Sequence, residues 1–294
     1  MTRFALFLAV LALCPAGAAA QGRPPAPAAS LGTSISYASP DGLITRRAGV
    51  NGEAALGRAA GLALRLSASA EHLRGLGGTP FPEELYKTGL RLTAESKRDR
   101  LLLGVESNSD RPYHSPAETD LGLTYSRTFS EKGPHAWLWG FTYSTRRSFL
   151  RGMPFPFIGY RYVTEKVTII APFMARWQAA KKLSFSASLQ PPKYFRLAAA
   201  WRPLPFASAE LEGGTALEQY LLSGRPDKGE AFYYEISYLT LKPSVYLSRR
   251  LQVTPSLGWQ FKSSHYTGTR YDDRNARTRL PGGPLLSFAA KYDF

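Results

Sequence analysis

Along most of the chain, apolar and polar residues alternate one for one. The clearest run is 251–262, where Leu251, Val253, Pro255, Leu257, Trp259 and Phe261 interleave with Gln252, Thr254, Ser256, Gly258, Gln260 and Lys262. In an extended strand the two sets point to opposite sides. The run is about as long as the ~9–11 residues a tilted strand uses to cross a bilayer. The same period recurs in 183–190, 86–95 and 137–144, and less cleanly in 62–69, 121–127, 195–202 and 232–238. The polar face is built of Ser, Thr and Gly or of charged residues. The pattern predicts strands nearly everywhere after residue 30.

Alternation alone does not say which face meets water, because a soluble sandwich alternates too. Aromatic residues near strand ends favour a membrane barrel. Trp137, Trp139, Trp177, Trp201 and Trp259 all sit on apolar faces, as an interfacial girdle requires. The connections also alternate in length. Segments 57–61, 97–100, 130–135, 202–205 and 248–250 are short, whereas 72–85, 108–118, 146–156, 214–230 and 263–284 are long. Outer-membrane barrels have short periplasmic turns and long outer loops. Between 165 and 205 the alternation breaks, since 164–166, 180–182 and 191–193 are all short. The expected fold is all-β, a transmembrane antiparallel up-and-down β-barrel. About fifteen strands are visible, and barrels of this kind favour even numbers. The expected count is 12–16, with 14 at the centre.

The first segment addresses the chain rather than folding with it. Arg3 precedes an apolar run from Phe4 to Pro15, and Ala18-Ala19-Ala20 supplies a small-x-small cleavage site. The expected organisation is a signal peptide at 1–20, a Pro/Ala-rich linker at 21–30 and a barrel at 31–294. Cys14, the single cysteine, falls inside the signal, so disulfides and thiolate metal sites drop out after cleavage.

The end of the chain, SFAAKYDF, places Phe288, Ala290, Tyr292 and Phe294 on one face. It resembles the C-terminal assembly signal of Gram-negative outer-membrane proteins. The resemblance implies recognition by the barrel-assembly machinery through Phe288, Tyr292 and Phe294, and residence in the outer membrane of a Gram-negative bacterium. A second stretch, 154–192, is similar to the central part of a family of uncharacterised outer-membrane barrels. The matching features are Phe157, Gly159, Tyr160, Tyr162, the turn at Glu165-Lys166, and Pro172-Phe173. That resemblance implies architecture and no activity.

Charge changes the picture next. Lys and Arg number 37 against 22 Asp and Glu, a net of +15. Alternation assigns Arg65, Lys87, Arg91, Arg161, Arg176, Arg196, Arg202 and Lys262 to the lumen, against Glu53, Glu95, Glu106 and Glu235. Basic rings favour anions in a pore. Opposite charges could instead pair across the lumen, or basic groups could hold lipopolysaccharide phosphates. Nucleic acid is set aside as a partner, because an exported barrel does not meet it.

Enzymatic chemistry has little to stand on. Ser263 and His265 share a strand face, and Asp272 and Asp273 follow in the next loop, which also offers a calcium reading. The plainer reading is a polar, solvated loop. No HExxH or phosphate-binding loop is present, so no catalytic residue, metal ligand or cofactor is assigned. The expected function is a passive or gated porin-like pore for small solutes, with an anion preference. The alternatives are a closed structural barrel that presents loops for adhesion or envelope interaction, and a lipid-modifying hydrolase. Expected partners are outer-membrane lipid and lipopolysaccharide, the assembly machinery and small solutes.

Overall fold

A computed structural model describes residues 28–40, 43–77, 80–147, 150–190 and 194–294. The expected signal peptide and most of the linker lie outside these residues. The strands are β1 (Ala29–Ala38), β2 (Leu43–Ala59), β3 (Leu62–Gly77), β4 (Glu84–Glu95), β5 (Asp99–Ser109) and β6 (Asp120–Lys132). They continue through β7 (His135–Ser144), β8 (Phe155–Val163), β9 (Val167–Ala171), β10 (Met174–Ala180), β11 (Leu183–Gln190) and β12 (Tyr194–Leu204). The last five are β13 (Ala207–Tyr220), β14 (Ala231–Tyr246), β15 (Leu251–Gly268), β16 (Asn275–Leu280) and β17 (Gly283–Asp293).

Each strand as far as β16 pairs antiparallel with the next, and β17 pairs with β1 from Ser30↔Asp293 to Ala38↔Leu285. β16 and β17 pair successively with the upper and lower parts of β15, so they form one wall position. The result is a closed sixteen-stranded barrel with no helix among the described residues. Closure removes every sheet edge, the condition for a β-structure to sit in lipid. Exposed apolar side chains cover the outside: Ile35, Leu90, Leu103, Trp139, Ile158, Leu197, Leu257 and Phe288 among them. The chain is an outer-membrane-type β-barrel.

The count exceeds the expected centre of 14 because of the region between 165 and 205. There the outer hairpins are as tight as the inner turns: residues 172–173 join β9 to β10, and 191–193 join β11 to β12. The opposite end of the barrel has uniformly short turns. One of them, Ala60-Gly61, has positive φ at both residues (50° and 78°), as a two-residue hairpin turn demands. By the usual rule this end is periplasmic.

The wall is uneven in height. β2, β3, β14 and β15 have 16–18 residues, whereas β8 to β11 have 5–9. Of two segments expected as long loops, 263–284 is largely strand and 214–230 is strand as far as Tyr220. Their ladders run on above the apolar belt, Thr215↔Ser237 to Tyr220↔Phe232 and Ser263↔Ile236 to Gly268↔Ala231. There the inward face becomes apolar, and on the other face Tyr233 and Tyr266 are buried against Leu221 and Tyr271 of the adjoining loops. On β14, Leu239 and Leu241 point outward and are exposed, while Phe232 and Tyr234 point inward and are buried.

The facing of each residue can be tested. Leu257 is outward, so Leu257→Arg places a charge in lipid at a cost of about 2–4 kcal/mol near mid-depth. Ser184 faces the lumen, so Ser184→Arg is accommodated. The folded, heat-modifiable fraction in outer membranes should collapse for the first variant and stay near wild type for the second. Equal yields would overturn the assignment.

Candidate functional site in the barrel lumen

Sixteen strands enclose a lumen wide enough for water. At the outer end this lumen is pinched. β13 lies eight positions from β5, on the opposite wall, yet its end crosses to meet it. The Leu221 N–H donates to the Asn108 carbonyl at 2.7 Å, a backbone bond between opposite sides of the barrel.

The pinch has an apolar layer and a charged layer. In the first, Leu43, Leu73 and Leu85 from one wall pack with Tyr220, Phe232, Tyr234 and Leu280 from the other, all 0–4% exposed. Phe81 sits edge-on to Phe232 and Tyr234, at 5.4 and 5.3 Å between ring centroids. In the second, Glu218 of β13 accepts both terminal nitrogens of Arg47 at 2.9 Å and the Lys87 ammonium at 2.7 Å. The Tyr220 hydroxyl donates to Glu218 at 2.9 Å, and Glu71 lies 3.0 Å from Arg47 and 3.5 Å from Lys87. Two cations, Arg47 of β2 and Lys87 of β4, thus hold two carboxylates, Glu71 of β3 and Glu218 carried across from β13. A bidentate Arg–carboxylate pair fixes geometry as well as energy.

Loops clasp the pinch from outside. Arg225 in loop 221–230 pairs with Glu118 in loop 110–119 at 3.1 Å, with side chains 4% and 1% exposed. Asp110 accepts the Ser223 N–H at 2.7 Å and its hydroxyl at 2.8 Å. Burial works against the Asp110 charge, but these bonds and one from Ser109 outweigh it and hold the carboxyl below its ordinary range. A depressed carboxylate stabilises the fold above its unfolded pKa, so this clasp is intact at neutral pH and is lost as pH falls through the lowered value.

Below the pinch the lumen is polar. Arg196 reaches Glu210 at 2.8 Å, Lys242 reaches Glu212 at 2.9 Å, and the Tyr238 hydroxyl donates to Glu212 at 2.9 Å. At the periplasmic end lies a vestibule of about 460 Å³, lined by Arg176, Gln178, Lys181, Ser184, Arg202 and Thr254 among others.

The expected lumen residues divide into three groups. Arg65, Arg91 and Arg161 face inward and pair along the wall with Glu53, Glu106 and Glu131. Lys87 and Arg196 belong to the clusters above. Arg176 and Arg202 line the vestibule, and neither has a carboxylate within 4.0 Å among the described residues. Lys262 is a correction. It faces Ser237 while Gln260 faces Tyr238, so Phe261 is an extra residue in a bulge, and Lys262 turns to the outer face. Glu235, expected inside, shares that outer face. Alternation could not show either: the bulge shifts the phase of β15 by one residue, and on β14 the apolar residues around Glu235, Tyr234 and Ile236, face inward. The residues that sequence reasoning missed are Arg47, Glu71 and Glu218. Each lies in a segment where the apolar face is reversed or mixed.

The five tryptophans are outward and 43–54% exposed. Phe294 is exposed, its N–H bonded to the Ala29 carbonyl at 2.9 Å, and its ring meets Tyr292. His265 is buried against Phe81 and Phe232, both at 5.5 Å, inside the pinch. Asp273 is engaged by Thr269 and the Arg270 N–H, and Asp272 by Arg270.

No protein-family model matches the chain, the stretch 154–192 included, and no curated protein sequence matches it. Solved structures do. An outer-membrane channel from Pseudomonas putida F1 is 9% identical, with 95% of this chain and 100% of that chain covered and a TM-score of 0.44. OpdQ from Pseudomonas aeruginosa is 12% identical, with 90% and 98% covered and a TM-score of 0.38. An anion-selective porin from Comamonas acidovorans is 9% identical, with 90% and 98% covered and a TM-score of 0.34.

Removing the crossing carboxylate tests the role of the charged layer. Glu218→Gln leaves Arg47 and Lys87 with Glu71 as their one remaining carboxylate among the described residues and removes the bidentate pair, a loss of about 3 kcal/mol for a largely buried cluster. Amide exchange in 215–220 and 231–236 should accelerate by roughly a hundredfold, with β8 to β12 unaffected. Unchanged exchange at those tips would show that the apolar layer alone closes the mouth.

Proposed function

We propose that the chain is a gated, porin-like channel for small solutes in the outer membrane of a Gram-negative bacterium, and that the pinched lumen is its closed state. The observation that carries this reading is the lumen itself. Its lower part is polar and open as a vestibule, while its upper part is shut by groups that have an alternative in water. A permanent plug needs no charge cluster at its contact; Glu218, Arg47 and Lys87 can each be solvated when the walls part.

Charge preference would be set where cations lack partners. Most lumen bases are neutralised by carboxylates, which leaves Arg176 and Arg202, beside Lys181, to favour anions at the vestibule. β17 closes the barrel against β1, and its outward Phe288, Tyr292 and Phe294 suit capture by the assembly machinery. The pinch also favours a second reading, a closed structural barrel whose clasped loops contact other envelope components.

Conductance in a planar bilayer separates the two. The wild-type protein should show rare openings, Glu218→Gln should open more often, and reversal potentials under a salt gradient should report anion preference. Arg176→Glu with Arg202→Glu should shift that preference toward cations without changing opening frequency. A folded protein that stays silent in both wild-type and Glu218→Gln forms would leave the structural reading standing.

A further inference from the structure

On the tall wall the apolar belt ends at a defined level. The outward series of β15 runs from Leu251 to Phe261, about 33 Å along the strand at ~3.3 Å per residue. Tilted by about 45°, this spans roughly the ~25 Å apolar band of an outer-membrane barrel. Immediately above Phe261 and Trp259, the outer face becomes basic. The bulge turns Lys262 outward, and β16 presents Arg277 and Arg279 beside it, with Ser264 opposite Arg279.

The wall is also hollowed here. The ladder from β15 is interrupted where Pro281 and Gly282 join β16 to β17, because Leu280 faces Ser263 and the next pair is Gly283 with Gln260. Proline has no N–H to donate, so the break is local. The hollow measures about 820 Å³ and is lined by Glu235, Ser237, Lys262, Ser264, Arg277 and Arg279, with Phe261 at its edge. Arg277 donates to the Ser264 hydroxyl at 3.1 Å, while its Nε is buried with no hydrogen-bond partner. Three cations and one carboxylate leave a net charge of 3 − 1 = +2.

We propose that this hollow binds the phosphorylated sugar headgroup of an outer-leaflet glycolipid. The sugar hydroxyls would meet Ser237, Ser264 and Glu235. Phosphate would meet Lys262, Arg277 and Arg279, with the unpaired Arg277 nitrogen as one donor. Acyl chains would descend over Phe261, Trp259 and Leu239, which are outward and exposed. A soluble anion gains nothing from that lower surface, so position selects a lipid. The assignment rests on the outer-membrane orientation above and is independent of channel opening.

The test is lipid retention by the refolded barrel in phosphatidylcholine nanodiscs, read by native mass spectrometry. Bisphosphorylated lipid A should be retained, and its dephosphorylated form should be held roughly tenfold less, the scale of one lost charge-assisted contact. Phosphatidylglycerol should behave like the dephosphorylated form. Arg279→Gln, exposed and outside the pinch, should weaken lipid A retention by a similar factor while leaving refolding and conductance unchanged. Equal retention of both lipid A forms, or of phosphatidylglycerol, would overturn the proposal. So would full retention by Arg279→Gln together with Lys262→Gln. Because every comparison of lipids uses the wild-type protein, a variant that fails to refold does not protect the idea. A silent channel with selective retention would count against the pore alone.

Discussion

The structure is governed by a change of solvent on the outside of one continuous wall. Within the lipid band, outward side chains must be apolar and the lumen side can be wet. Above the band, water lies outside, and the same strands hide apolar side chains inward or, like Tyr233 and Tyr266, beneath their own loops. β14 shows the switch along its own length, from outward Leu241 and Leu239 to inward Tyr234 and Phe232. β3 and β4 do the same, from outward Leu66, Leu90 and Leu92 to inward Leu73 and Leu85. Inward apolar residues from opposite walls then have one way to leave water, which is to meet each other. The pinch is therefore a consequence of strands that outlast the membrane.

Apolar packing by itself would weld the walls together. The charged layer beneath it changes the character of the contact. Glu218 is stable in the dry seam only while Arg47 and Lys87 face it, and both cations are equally well served by water. The seam thus trades desolvation against pairing and gains little net free energy from the charges. What it gains is geometry, since the bidentate Arg47 pair and the Lys87 contact set one register for β13 against β2 and β4. A contact of low net energy and high specificity is suited to repeated opening.

The same reversal explains what the sequence could and could not disclose. The class of fold was legible because the lipid band imposes period two on every strand. Segments 214–230 and 263–284 read as loops because their apolar face changes side, which looks like loss of pattern. Lys262 read as luminal because a single bulged residue is invisible to a period of two. In 165–205 the pattern was present but the loop lengths misled, since tight outer hairpins mimic inner turns. The candidate site was the least legible part. Glu218 sits 171 residues from Arg47 in sequence, and nothing short of closure brings them together.

Uneven height ties these features into one design. β9 and β10 have 5 and 7 residues, fewer than the ~9–11 that a tilted strand needs to cross. On that side the bilayer must thin or the barrel must tilt, and no strand is left over to project into water. Further round the wall β13 to β15 have 14–18 residues, enough to cross and continue. A wall that folds over its own lumen can come only from the tall side. Its outer surface at the bend then faces headgroups rather than acyl chains, which is where Lys262, Arg277 and Arg279 are found. Closure of the mouth and the basic exterior are two faces of the same surplus of strand.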